Sequence, residues 1–177
     1  MSSIKRVSLP LLDTVDLKVG QHVEFSGRIL CGRDAVLPKV CDLIKRGKIG
    51  SLDANFKGAA IFHTAVSCAG IGPTSSNKVE IEESFEPLCR AGIKVFLGKG
   101  EIRPSTVEVL KQYGAVFAVV PPITALLTQG MRSKRIVAFS ELGMEALYEV
   151  ELKACPAIIA SVCGESMFNE EMLHAKK

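Results

Sequence analysis

No tryptophan occurs among the 177 residues of this chain, only two tyrosines accompany its eight phenylalanines, and neither charge dominates. Twenty-two Lys and Arg stand against nineteen Asp and Glu, for a net charge of +3. Each shortage excludes something. A small, evenly mixed charge, with no aromatic residues set among basic clusters, gives nucleic acid no electrostatic footprint. No uncharged apolar run is long enough to cross a bilayer. Residues Met1 to Gly20, with Lys5, Arg6, Asp13, Asp16 and Lys18, lack the apolar stretch of a secretory signal. The expectation is a cytoplasmic protein with neither a membrane nor a nucleic-acid partner. The six cysteines, at 31, 41, 68, 89, 155 and 163, form no C-x-x-C pair, and most lie among apolar neighbours. They read as reduced, buried thiols, and no metal site follows from their spacing. His22, His63 and His174 are isolated in sequence and read as strand-side or surface residues rather than ligands.

What is plentiful is apolar residue: 47% of the chain is hydrophobic, with a mean hydropathy of +0.26. A chain of this length buries a real core as one domain, and its surplus apolar surface is available to a partner chain. Residues 1–20 read as an extended arm, since Pro10 keeps Leu9-Pro10-Leu11-Leu12 from being helical throughout. A strand from His22 to Leu30 leads to the turn Gly32-Arg33-Asp34. A helix from Val36 follows and ends at Lys45-Arg46-Gly47. Phe56 to Val66 is an apolar run of the buried-strand type. A helix from Val79 to Cys89, a strand from Ile93 to Leu97, a helix from Pro104 to Tyr113 and a strand from Ala115 to Val120 repeat at the period of parallel βαβ units. Ile123 to Met131 is helix-like, and the basic run Arg132-Ser133-Lys134-Arg135 reads as its solvated end. Ile136 to Phe139 and Ala157 to Val162 are further strands, and the charged tail from Asn169 to Lys177 is expected to fray.

The stretch Cys68-Ala69-Gly70-Ile71-Gly72-Pro73-Thr74-Ser75-Ser76-Asn77-Lys78 combines glycines, hydroxyls and a cation, the composition of a loop that holds an anion. It is neither a dinucleotide fingerprint, because Ser75 stands where the third glycine belongs, nor a phosphate loop, because the G-K-[ST] ending is missing. A plain polar turn between strand and helix is the competing reading. In open α/β sheets ligands sit beyond the carboxyl ends of strands. Three such turns, Gly32-Arg33-Asp34, Gly72-Pro73-Thr74-Ser75 and Gly98-Lys99-Gly100, present Arg33, Thr74 with Lys78, and Lys99. Together they suit a ligand with more than one negative group.

Five short motifs, in one order, resemble a known family. They are Gly32-Arg33-Asp34-Ala35, Gly72-Pro73-Thr74-Ser75-Ser76, Gly98-Lys99-Gly100, Glu141-Leu142-Gly143-Met144-Glu145-Ala146-Leu147 and Pro156-Ala157-Ile158-Ile159. The family is the β subunit, or C-terminal domain, of the iron–sulfur class I fumarate hydratases and L-tartrate dehydratases. The resemblance implies an α/β fold of the swivelling β/β/α type, over residues 1–177, with a central mixed sheet flanked by helices. This differs from the plain parallel sheet that the periodicity suggests. It also implies a hydro-lyase of the tricarboxylic acid cycle type, interconverting fumarate and L-malate, with L-tartrate dehydration as the alternative. The implied cofactor, a 4Fe–4S cluster, is held by three cysteines of a partner α subunit and not by this chain. The implied assembly is a hetero-oligomer, active only with that subunit, and a homodimer is the form expected of the chain alone.

Carried over by position, the resemblance makes Arg33 and Lys99 the groups that bind substrate carboxylate or stabilise the charge of the intermediate. Thr74 falls at the position of the base, and Ser75 with the backbone at Gly72 and Gly98 completes the cradle. Lys78 stands where the family carries arginine; it keeps the charge and loses the two-pronged grip on a carboxylate. Val36-Leu37 replaces the end of Arg-Asp-x-Ala-His, which removes an imidazole. His63-Thr64-Ala65 replaces a Gly-Pro, which puts His63 where it can face the site. These departures leave the hydroxy acid open, and they also motivate a reading from another class, an anion-binding or assembly module that kept the pocket without catalysis.

Overall fold

The computed structural model describes residues 4–14, 16–122 and 124–168. The expected fraying tail, 169–177, lies outside the described residues. The strands are β1 (Lys5–Ser8), β2 (His22–Cys31), β3 (Ala60–Phe62), β4 (Thr64–Ser67), β5 (Gly70–Thr74), β6 (Val95–Gly98), β7 (Val116–Val119), β8 (Met131–Ala138), β9 (Leu147–Val162) and β10 (Glu165–Ser166). The helices are α1 (Leu37–Lys45), α2 (Lys78–Glu83), α3 (Phe85–Arg90), α4 (Pro104–Tyr113) and α5 (Thr124–Gly130), with 3-10 turns at Ile49–Ser51 and Ser140–Glu145.

The fold is α/β with a central mixed sheet. β2, β3, β6 and β7 run parallel in that order. The long strand β9 is antiparallel to both β7 and β2, so the path β2-β3-β6-β7-β9 returns to β2 and closes. β1 adds to β2 in parallel, and β8 and β10 pair with β9. Closure on one side and helices on the other bury both faces of β3, β6 and β7, which is why these three read as unbroken apolar runs rather than alternating ones. Successive residues of one strand enter two different cores. Ala60 and Phe62, Val95 and Leu97, and Val116 and Ala118 pack inside the closed sheet with Phe25, Ile29 and Ile159. Ile61, Phe96 and Phe117 face outward and meet Leu37 and Val40 of α1, Leu88 of α3 and Leu110 of α4. The period-two geometry of a strand produces both layers from one sequence.

Several sequence expectations are corrected. The sheet is not plainly parallel, because β9 runs the other way and is sixteen residues long, well beyond the expected Ala157–Val162. The basic run Arg132–Arg135 is not a helix end but lies in β8. There the exposed Arg135 side chain finds Glu149 of β9 and Asp53, so cross-strand charge pairing overrides the helical reading. Half of the glycine-rich stretch is strand β5, in a two-stranded hairpin with β4. The run Phe56–Val66 is divided at His63 into β3 and β4, and the helix expected over Val79–Cys89 is divided at Ser84 into α2 and α3. Pro87, which has no N–H to give to Glu83, makes that second break physically favourable, and the Ser84 hydroxyl donates to the Ile81 carbonyl (2.6 Å). The extended arm contains β1 and continues over the sheet. There Leu9 lies so close to Gly27 (φ +129°) that a Cβ on Gly27 would stand 2.8 Å from its carbonyl oxygen.

Candidate functional site

Three adjacent parallel strands, β2, β3 and β6, end at the same edge of the sheet, and that shared ending gathers the turns. The Gly32 N–H donates to the Phe62 carbonyl (3.1 Å), and the His63 N–H donates to the Leu97 carbonyl (3.0 Å). The His63 carbonyl in turn accepts from the Ser75 N–H (2.9 Å). Side chains tie the same three turns together. The Ser75 hydroxyl donates to Asp34 (2.6 Å) and the Lys99 ammonium donates to the Ser76 hydroxyl (2.8 Å). Lys78, at the start of α2, extends across the Gly98-Lys99-Gly100 turn: a Cβ on Gly100 would lie 3.5 Å from its Nζ.

Of the residues singled out from sequence, Ser75, Lys78, Gly98 and Lys99 line one small cavity of about 20 Å³. His63, Glu82, Phe85, Glu101 and Phe117 line it with them. Lys78 and Lys99 are exposed at its mouth. Among the described residues neither ammonium has a carboxylate partner, so both positive charges are available to an anion. Two of the acids nearby are otherwise engaged: Asp34 accepts from Ser75, and the buried Glu82 accepts from the Arg103 N–H (2.8 Å) and the Thr106 hydroxyl at the start of α4, while Glu101 is exposed to solvent at the cavity. Gly98 is needed for close packing, because a Cβ there would stand 3.0 Å from Phe117 Cε2 and 3.4 Å from His63 Nδ1.

Arg33, Thr74 and Gly72 are placed differently. The Arg33 guanidinium is half-buried and ion-paired with Glu145 (Nε to Oε1 2.6 Å), so a ligand would have to share it with that carboxylate. Thr74 is half-buried at the end of β5, opposite Thr64 in the hairpin, and does not line the cavity. Gly72 lies along a separate shallow depression with Pro73, Thr124 and Thr128, and its carbonyl accepts from the Thr64 hydroxyl (2.7 Å).

Sequence reasoning passed over Asp34, Glu82, Glu101, Glu145 and the phenylalanines as site residues. Asp34 and Glu145 sat inside quoted motifs, but their roles depend on partners far along the chain. His63 is 2% exposed. Its ring centroid is 5.4 Å from that of Phe85, and among the described residues its Nε2 has no hydrogen-bond partner. Burial pushes its pKa down to about 3, against the opposing pull of the Asp34 carboxylate, so the imidazole is neutral. Burial likewise raises the thiols of Cys41, Cys89 and Cys155 to about 11, 12 and 12. Among the described residues no group of three His, Cys, Asp or Glu side chains gathers as a metal would need. These protonated, separately buried thiols do not fit an iron–sulfur cluster within this chain. Nor, among the described residues, is any helix long and apolar enough to cross a membrane.

A sequence model described as fumarase C-terminus matches residues 5–171. The chain belongs to the fumarase C-terminus family. Its relatives are hydro-lyases. A putative L(+)-tartrate dehydratase subunit beta of Methanocaldococcus jannaschii is 30% identical over 173 residues, covering 89% of this chain and 87% of the relative. The L(+)-tartrate dehydratase subunit beta of Escherichia coli K12 is 27% identical over 173 residues, covering 92% and 83%. The anaerobic class I fumarate hydratase of the same organism is 26% identical over 150 residues, 80% of this chain and 27% of that much longer relative. This fumarase C-terminus chain therefore spans nearly the whole of the former relatives and about a quarter of the latter.

Proposed function

We propose that this chain is the β subunit of a two-subunit hydro-lyase, gripping a four-carbon dicarboxylate while a separate α subunit carries the electrophile. The observation that supports it is the pair of uncompensated ammoniums, Lys78 and Lys99, set with Ser75 around one cavity where three parallel strands end. Removing water from a hydroxy diacid takes a weakly acidic C–H beside a carboxylate and expels a poor leaving group, so it needs cationic clamps and an electrophile together. The clamps belong to this chain. A 4Fe–4S cluster on the α subunit supplies Lewis acidity for the leaving hydroxyl when bound.

Lys99 and Lys78 hold the carboxylates, with Lys99 also opposing charge that develops on the carboxylate next to the abstracted proton. Ser75 and the Gly98 backbone orient the ligand, and Arg33 joins them to the extent that Glu145 releases it. Thr74, at the end of β5 beside Ser75 and outside the small cavity, is the proposed proton acceptor. Among the described residues no base activates its hydroxyl, so the activating group would come from the partner. Exposed Val79, next to Lys78, and exposed Met144, next to Glu145, give the rim an apolar edge of the kind a partner subunit covers.

The substrate expected from sequence is fumarate with L-malate. A second reading, L-tartrate, is favoured by length: this chain matches tartrate dehydratase β subunits nearly end to end. Anaerobic co-expression with a candidate α chain, followed by assays of fumarate hydration, tartrate dehydration and mesaconate hydration, tests both. Turnover that survives Lys99→Ala and Lys78→Ala unchanged overturns the site. Turnover by the purified single chain, with iron bound to it, overturns the division between subunits.

A further inference from the structure

His63 stands where the three turns join, yet the ligand contacts proposed above make no use of it. Its backbone ties β6 to the hairpin through Leu97 and Ser75. Its ring packs beside Phe85 and Phe96 and lines the cavity with Ser75, Lys78 and Lys99. A buried nitrogen left unsatisfied is destabilising, so the want of a partner for Nε2 among the described residues points to one outside the chain. Two features narrow what that partner is. The cavity, about 20 Å³, accommodates one water-sized oxygen and not the two oxygens of a carboxylate. Its lining includes Ile81, Phe85, Ile102 and Phe117, where an ionised oxygen would lose its hydration, and the buried Glu82 carboxyl group, which would repel one, whereas the ammoniums are exposed. Carboxylates therefore belong at the mouth, and an uncharged oxygen belongs inside.

We infer that His63 is a specificity-determining residue whose Nε2 hydrogen-bonds an uncharged hydroxyl group of the bound diacid. The inference rests on the hydro-lyase reading and deepens it. The hydroxyl that leaves as water is handled by the partner's electrophile, so the one that meets His63 stays on the product, and the substrate class this selects is a dihydroxy diacid. A neutral imidazole offers one donor and one acceptor, which suits a hydroxyl in either orientation. A site built to bond a hydroxyl disfavours an analogue that lacks it, because the buried partner is then left unsatisfied. No covalent bond is made or broken at His63.

The purified chain is titrated with L-tartrate, L-malate and succinate, four-carbon diacids with two, one and no hydroxyls, while imidazole nitrogen signals are followed by long-range proton–nitrogen NMR. His63 is assigned as the imidazole still neutral at about pH 5 and by its loss in His63→Gln. Its Nε2 signal moves with tartrate and malate and not with succinate, and tartrate binds about tenfold more tightly than succinate, a preference lost in His63→Leu. The wild-type spectra decide the matter even if a variant fails to fold. A signal unmoved by all three acids, or moved as much by succinate, overturns the inference. If the signal responds while the co-expressed complex turns over no diacid, the hydro-lyase reading fails and the hydroxyl contact stands; turnover with a silent His63 is the reverse.

Discussion

Two charged regions of this molecule look alike in composition and differ in what their charges are doing. One surrounds the larger cavity, about 670 Å³, bordered by Arg28, Asp53, Arg135 and Glu149. There Arg135 bonds both Glu149 (2.9 Å) and Asp53 (2.7 Å), and Arg28 approaches Glu149 at 3.8 Å. The other surrounds the small cavity at the strand ends, where, among the described residues, Lys78 and Lys99 have no carboxylate partner and His63 Nε2 has no hydrogen-bond partner. Volume favours the first as a binding site, and unspent charge favours the second. Cations already held by carboxylates offer an incoming anion little, because the ligand must displace a partner as well as shed its water. Uncommitted cations above a small apolar recess are an arrangement that a diacid improves.

The largest effect that would break the contrast is structural. Phe85 is 1% exposed and stacks on Phe96 with centroids 4.2 Å apart, forming the floor under His63. Phe85→Ala is expected to cost about 3–5 kcal/mol in urea unfolding, with the ligand response of His63 lost. Next, Lys99→Ala lowers turnover of the complex with its α partner about 100-fold, as removal of one preorganised charge-stabilising group does. Arg135→Ala leaves turnover and diacid binding unchanged. Equal losses from both lysine and arginine variants would erase the distinction between the regions.

A smaller effect comes from pH. His63 is neutral when folded, with a pKa of about 3, and the unfolded chain takes up a proton near the ordinary value of 6.5. The unfolded state thus binds more protons as pH falls below 6.5, so the stability held by neutral His63 is complete above that value and lost toward pH 3. Between pH 7 and pH 5 the loss attributable to His63 is about 2 kcal/mol. Comparing wild type with His63→Gln by urea unfolding at the two pH values isolates it from Asp34, Glu82 and Glu101, which the variant keeps. The smallest effect is Gly98→Ala, about 1–2 kcal/mol, because its Cβ presses on Phe117 and the His63 ring.

The elements legible in sequence are those whose information is local. α1 and α4 were marked by apolar spacing and by basic residues or glycine at their ends, and α4 also by Pro104 at its start. β6 and β7 were marked by short apolar runs, the first bounded by glycines and the second by Gly114 and Pro121-Pro122. The readings that failed depended on distant partners. Arg132–Arg135 looked like a polar helix end, but β9 offered it a strand edge and Glu149 and Asp53 offered it charge. The Gly70–Thr74 stretch looked like a loop, but β4 offered it a hairpin. At the site, the three turns were visible because turn residues follow apolar runs. That Arg33 is shared with Glu145, across more than a hundred residues of chain, was not.

By itself the amino-acid order determined that this chain is of the α/β class with cationic and hydroxyl-bearing turns at its strand ends, and its five motifs pointed to the family whose sequence model it matches. Only the tertiary structure decided which of those charges are free and which are spent, and that a histidine read as a strand-side residue lies buried with one nitrogen unsatisfied. The reason is physical. Propensity and periodicity act over a few residues, whereas pairing and desolvation depend on groups that meet only after the sheet has closed.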